Sequence, residues 1–187
     1  MTTFSAFLVF VLAVVACPAA EPLSLKKLQE IIETDHADKP LVEALQIYPQ
    51  AREYKIAVTN RTPDGQVFEG KAKASEKWVE GRFIVSEAQP AGPETKFAMI
   101  VEYDSDKKLY RKYVVMGGEI TGCQIGTRIG KSRSVSWIDL SPMKFEPKMD
   151  NLTTETHTDD KTTWQSIFFQ NGELQRAESG VATVTKR

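Results

Sequence analysis

The sequence has little of what reaction chemistry usually needs. Its 187 residues hold two histidines and two cysteines. It carries no phosphate-binding P-loop, no G-x-G-x-x-G, no C-x-x-C and no H-E-x-x-H. Charge of one sign is lacking too: 24 Lys and Arg stand against 25 Asp and Glu, a net charge of −1. Nucleic-acid binding usually demands a basic face and membrane attachment a polybasic run, so we expect neither. Lys107-Lys108 and Arg111-Lys112 are local clusters that read as the solvated face of a strand pair.

Long hydrophobic runs are also missing. The apolar block Ala6 to Ala16 has 11 residues, where a membrane-spanning helix needs about 20. The small residues Ala16-Cys17-Pro18-Ala19-Ala20 follow, and then the chain turns polar. This is the form of a secretory signal peptide over residues 1–20, which predicts an exported protein, periplasmic or secreted. No Lys or Arg precedes Lys26, so the positive end of the signal is the amino terminus alone. Val14-Val15-Ala16-Cys17 resembles the lipobox of bacterial lipoproteins. Cleavage after Ala19 or Ala20 and lipidation at Cys17 both stay open, and membrane anchoring is expected only in the second case. Either way Cys123 is the one thiol left for the fold, and a lone Cys makes no internal disulfide. The core must supply the stability. Without residues 1–20 about 165 residues remain, and chains of that length bury roughly two thirds of their unfolded surface.

What is present is a short helical lead and a long β region. In Ser24 to Ile32, Leu25, Leu28, Ile31 and Ile32 fall on one helical face, with Ser24 as N-cap. Pro40 to Gln46 reads as a second short helix, ended by Pro49. We take residues 21–50 as a lead that plugs or covers the end of something larger, and 51–187 as the main domain.

From Arg52 onward the helical period disappears. β-rich runs cover Arg52–Thr59, Val67–Lys73, Lys77–Glu87, Lys96–Tyr103, Leu109–Met116, Glu119–Arg128, Ser132–Leu140, Asn151–His157, Thr162–Gln170 and Glu173–Thr185. Turn signals separate them. Asn171-Gly172 is the strongest, because a type I′ turn needs positive φ at both central positions. Gln89-Pro90-Ala91-Gly92-Pro93 reads as a loop. Nine or so strands joined by short turns make an antiparallel meander, and closing it removes the exposed edges. We therefore expect a mainly β fold, a lipocalin-like up-and-down barrel with short N-terminal helices. Phe97, Met99, Val101 and Tyr103 share one face, with Ala98 and Ile100 on the other. Strands apolar on both faces imply that the lead covers part of the outer wall.

Three stretches carry a family resemblance. They are Trp78-Val79-Glu80-Gly81-Arg82-Phe83-Ile84-Val85, Glu102-Tyr103-Asp104-Ser105-Asp106-Lys107-Lys108-Leu109-Tyr110, and the closing run from Gln170-Asn171-Gly172 to Arg187. They resemble the W-x-x-G-R-F segment, the Y-D-x-x-x-x-x-Y strand-turn-strand and the terminal hairpin of DUF1579, bacterial proteins of unassigned function. The resemblance covers Val67 to the end. It implies a lipocalin-like β fold and a location, and no mechanism.

Sites are sparse. A metal needs three or four ligands. His157 with Glu155, Asp159 and Asp160 would supply them only if its turn folded back, and polar turn residues are the simpler reading. His157 is also the one strand histidine that could ligate haem. Cys123 reads as a buried inert thiol. We expect no catalytic residue, no metal and no cofactor. Asn60-Arg61-Thr62 and Asn151-Leu152-Thr153 match the glycosylation sequon and mark surface turns. A barrel of this size is filled or holds one small ligand. Trp78, Tyr103, Tyr113, Trp137 and Trp164 are aromatics that could line such a pocket. Arg82, read as lying in a strand between Trp78 and Ile84, would point inward only to meet a carboxylate from the protein, Glu102 or Glu178, or from a ligand. The expected function is a non-catalytic exported barrel binding a small apolar or amphipathic ligand. The alternative is a filled-barrel structural or protein-interaction module of the cell envelope.

Overall fold

The computed structural model describes residues 22–36, 39–91, 95–139 and 150–187. The expected signal peptide with Cys17, Gly92-Pro93 and the stretch 140–149 lie outside the described residues. Period-2 runs with turn residues between them become strands: β1 (Glu53–Arg61), β2 (Val67–Val79), β3 (Phe83–Pro90), β4 (Phe97–Asp104), β5 (Leu109–Met116), β6 (Glu119–Arg128), β7 (Ser134–Asp139), β8 (Asp150–His157), β9 (Lys161–Gln170) and β10 (Glu173–Lys186). Each pairs antiparallel with its sequence neighbour, and β1 also pairs with β10, closing the barrel.

The largest difference from the expected strand boundaries lies between β2 and β3. Val67–Lys73 continues to Val79, and the run expected over Lys77–Glu87 breaks at Glu80–Arg82. Glu80 and Gly81 take φ of 55° and 70°, the left-handed conformation that ends a strand. Gly81 also has no room for a side chain, since a Cβ there would stand 2.6 Å from the Pro40 carbonyl oxygen. Gln89 and Pro90, expected in a loop, close β3 instead. Pro90 sits at the strand end, where its missing N–H breaks little of the ladder.

The lead splits around the wall. Helix α1 (Leu25–Glu33) starts where Ser24 accepts from the Lys27 N–H at 3.3 Å. Its buried Leu28 and Ile31 pack on the outer wall against Val85, Ile100, Tyr113 and Cys123. The chain then crosses the barrel rim at the β2–β3 turn, where the Val42 N–H donates to the Gly81 carbonyl at 2.9 Å. The second helix expected over Pro40–Gln46 is a 3-10 turn, Glu43–Ile47. Leu41, Leu45, Ile47 and Tyr48 are all buried there. Extended backbone at Val42 and Tyr48 bounds this turn and keeps it to five residues.

Leu28 is fully enclosed between helix and wall. Leu28→Ala is expected to cost about 2–5 kcal/mol. Urea unfolding should show a lower midpoint at unchanged slope.

Candidate functional site

Strand alternation sorts the wall into two faces. Cross-strand partners run Trp78, Ile84, Val101 and Lys112 on one face, and Lys77, Val85, Ile100 and Tyr113 on the other. The second face carries α1 and exposed lysines, so the first is the interior.

One end of the interior is sealed. The 3-10 turn packs Leu45, Ile47 and Tyr48 against Ile84, Val101, Tyr110, Val135 and Trp137. Tyr110 Oη donates to the Ala44 carbonyl at 2.9 Å, and Arg133 Nε to the Ile47 carbonyl at 2.7 Å. Behind this floor lies a polar group of four. Glu155 pairs with Lys112 Nζ and accepts from Trp137 Nε1 at 2.9 Å. Lys112 Nζ stands 4.1 Å over the Trp137 ring. Burial works to raise the Glu155 carboxyl, but Lys112 beside it prevails and holds it below the ordinary range. His157 lies against Tyr48, ring centroids 4.2 Å apart, and burial pushes it down to about 4. It is therefore a neutral imidazole at neutral pH, with Nδ1 on Thr162 Oγ1 at 2.9 Å.

The other half of the interior is looser. Val58, Trp164, Phe168, Arg176 and Ala182 face inward and are only half-buried. Gly70, opposite Val58, lies on the part of β2 that runs past the end of β3, and it is exposed at the mouth. One contact organises this half: Trp164 lies so flat on β10 that a Cβ at Gly180 would come within 2.0 Å of its ring, and its Nε1 donates to Glu178 Oε1 at 2.8 Å. Nearer the floor Glu76 accepts from Ser86 Oγ at 2.9 Å and from Tyr54 Oη at 3.0 Å, and Tyr54 also donates to the Pro49 carbonyl. Nearer the mouth the Arg176 guanidinium stacks 3.9 Å over Phe168. Arg176 Nε and Asn60 Oδ1 are buried without a hydrogen-bond partner.

Four of the six aromatic and basic candidates face inward. Trp78, Tyr103 and Trp137 gather at the floor, while Trp164 borders the looser half. Two do not. Arg82 is exposed in the β2–β3 turn, 5.8 Å over the Phe83 ring. In an unbroken strand it would have shared the Trp78 face, and the Glu80–Gly81 turn ends that parity. Its expected partners are engaged elsewhere: Glu102 with Arg111 and Tyr113, Glu178 with Trp164. Tyr113 lies outside the barrel under α1, where its Oη accepts from the Leu23 N–H at 3.2 Å and donates to Glu102 at 2.9 Å. An outer wall covered by a helix is as apolar as an interior, which is why Tyr113 read as lining. Cys123 is buried under the same helix, and burial pushes its thiol up to about 11. Of the other ligands considered with His157, Asp159 pairs with Arg133 and both Asp159 and Asp160 are exposed. Among the described residues no group of three His, Cys, Asp or Glu could hold a metal ion. The sequence reading put Lys112 on a solvated strand face, where the structure buries it, and weighed Glu155 only as a metal ligand; it missed Glu76 and Arg176. Each sits at an inner position of a strand whose outer face is also polar or covered, so alternation alone does not single it out.

No protein-family model matches the chain, and no curated protein does. Solved structures of similar shape exist. The Mycobacterium tuberculosis protein Rv2717c matches with TM-score 0.53 and 14% identity, over 78% of this chain and 99% of its own. An S-type phycobiliprotein lyase from Guillardia theta matches with TM-score 0.52 and 11% identity, over 74% of this chain and 89% of its own. A DUF3598-family protein of unknown function from Nostoc punctiforme gives TM-score 0.52 and 9% identity, and this chain spans 51% of its length. At these identities the likeness carries the lipocalin-like barrel fold alone.

Glu76 gives the interior a pH signature. Burial pushes its carboxyl up to about 8, against the Ser86 and Tyr54 hydroxyls that favour ionisation. The unfolded carboxyl ionises near 4.5. Between those values the folded chain binds the extra proton, so stability falls as pH rises through the window and is fully present only below it. Glu76→Gln has nothing to ionise there. Its urea midpoint is expected to fall less steeply than the parent's between pH 4.5 and 8, and parallel slopes would refute the assignment.

Proposed function

We propose that the protein is an exported, non-catalytic barrel that holds a small apolar or amphipathic ligand in the looser half of its interior. The observation that carries this reading is the difference between the two ends of the interior: one is sealed, while the inward Val58, Trp164, Phe168 and Ala182 stay half-buried. Ligand pockets are mostly apolar, with a few placed polar groups such as Glu178. The absence of catalysis is supported by a neutral His157 enclosed under Tyr48 and by a Cys123 that stays a thiol at neutral pH. Export rests on the apolar run Ala6 to Ala16 and the small residues after it.

Kinship with DUF1579 belongs to the same proposal. The fold supports it, and the Y-D-x-x-x-x-x-Y segment has a structural role to match. Asp104 accepts from the Asp106 and Lys107 N–H groups at 3.1 Å and holds Arg111 at 2.9 Å, while the Tyr103 and Tyr110 rings stack at 5.0 Å.

A second reading, an interaction module of the cell envelope, is favoured by one feature of the outer wall. Ile138, Leu152 and Ile167 form an exposed apolar row across β7, β8 and β9.

Titration with N-phenyl-1-naphthylamine, an uncharged dye that brightens in apolar surroundings, separates the two. Carrier function predicts saturable binding, weakened at least about tenfold by Gly70→Phe, which puts a ring at the mouth beside Val58. Dye response that does not saturate, or that ignores Gly70→Phe, would leave the interaction module as the better account.

A further inference from the structure

We infer that the ligand carries an acidic head group, and that Arg176 receives it at the mouth of the barrel. This rests on the interior being the ligand site.

The inference starts from how the charged groups inside are matched. Lys112 pairs with Glu155. Glu178 accepts from Trp164, and Glu76 from Tyr54 and Ser86. Arg176 has no such partner among the described residues: its one contact is the Phe168 ring, and its Nε is buried and unbonded. Glu178, two residues on along the same strand, makes no ion pair with it; its Oε1 accepts from the Trp164 indole.

A guanidinium does not escape this by losing its proton, since it stays charged at every physiological pH. An inward, partly desolvated and unpaired cation is costly. Stacking on an aromatic face returns part of that cost and, more to the point, fixes the plane of the fork. A fork held flat on Phe168 presents its N–H edge to one direction, and a planar acid is the group that such an edge accepts in two parallel hydrogen bonds. Local backbone geometry puts it there. The register between β9 and β10 slips between Leu174 and Arg176, so Arg176 stands opposite Phe168. Without the slip the parity would turn Arg176 outward. Asn60, paired across from Glu178 on β1, adds a second unmatched polar group. Turned over, its amide offers an N–H to the same acid. Below this polar pair lie Trp164 and Val58, inward and half-buried, the wall against which an apolar tail would lie.

The chemistry is that of a small monoanionic amphiphile, a carboxylate on a hydrocarbon body. Two competitors with the same tail test it: decanoate and decanol, each displacing N-phenyl-1-naphthylamine at pH 7.5. We expect decanoate to bind at least about tenfold more tightly than decanol. Arg176→Gln should erase that preference and leave decanol and the dye where they were. The retained dye binding also shows that the variant folds. Arg176→Lys keeps the charge without the fork and should retain part of the preference. If the two competitors bind wild type equally, or Arg176→Gln keeps the preference, the acidic head group is refuted while the carrier reading stands. If the dye never saturates and Gly70→Phe changes nothing, the carrier reading fails, and this inference with it.

Discussion

Strand β1 hydrogen-bonds along both of its edges, with β2 on one side and β10 on the other. Everything else follows from that double pairing. It removes the free edges that an open meander would expose, and it divides each strand into residues that see water and residues that do not. The inner face then holds three tryptophans and several ionisable groups, each needing an arrangement of its own. The lead supplies what closure alone does not: a helix over the apolar part of the outer wall, and a turn that stops one end.

The two ends are built on different electrostatic terms. At the floor the charges are matched within the protein. Glu155 stays ionised because Lys112 is beside it, and removing either would strand the other in a dry place. Gly126 contributes by absence: any Cβ would come within 2.6 Å of the Trp137 ring, so the bare backbone lets the indole lie flat and reach Glu155. Buried polar atoms without a hydrogen-bond partner occur at both ends, Tyr48 Oη, Trp78 Nε1 and His157 Nε2 at the floor and Arg176 Nε and Asn60 Oδ1 toward the mouth, but toward the mouth one of them belongs to a cation and the packing is looser. A protein selected only for stability would gain by filling that half.

The fold was legible because its signals are local. Asn171 and Gly172 take φ of 51° and 81°, the turn that the Asn-Gly pair predicts. Phe97, Met99, Val101 and Tyr103 share the inner face that their alternation indicates, and Ser24 caps its helix. The site was legible only in part, because facing depends on a running parity that one irregular residue resets. The turn at Glu80–Gly81 moved Arg82 to the surface. The slip before Arg176 moved that arginine inside, where the argument made for Arg82 applies to it instead. Tyr113 misled for another reason: the helix that makes its face apolar lies far from it in sequence.

Closure by the first strand and the last has a kinetic side. Tyr54 meets Val184 and Arg61 meets Ala177, so the seam joins the two ends of the sheet in sequence. Contacts that distant are won only after the loop entropy between them has been spent, and sheets of this kind fold slowly. Until β10 arrives, β1 presents a bare edge to any neighbouring chain, and the aromatic inner face lies open beside it. That interval is when a holding chaperone has most to cover.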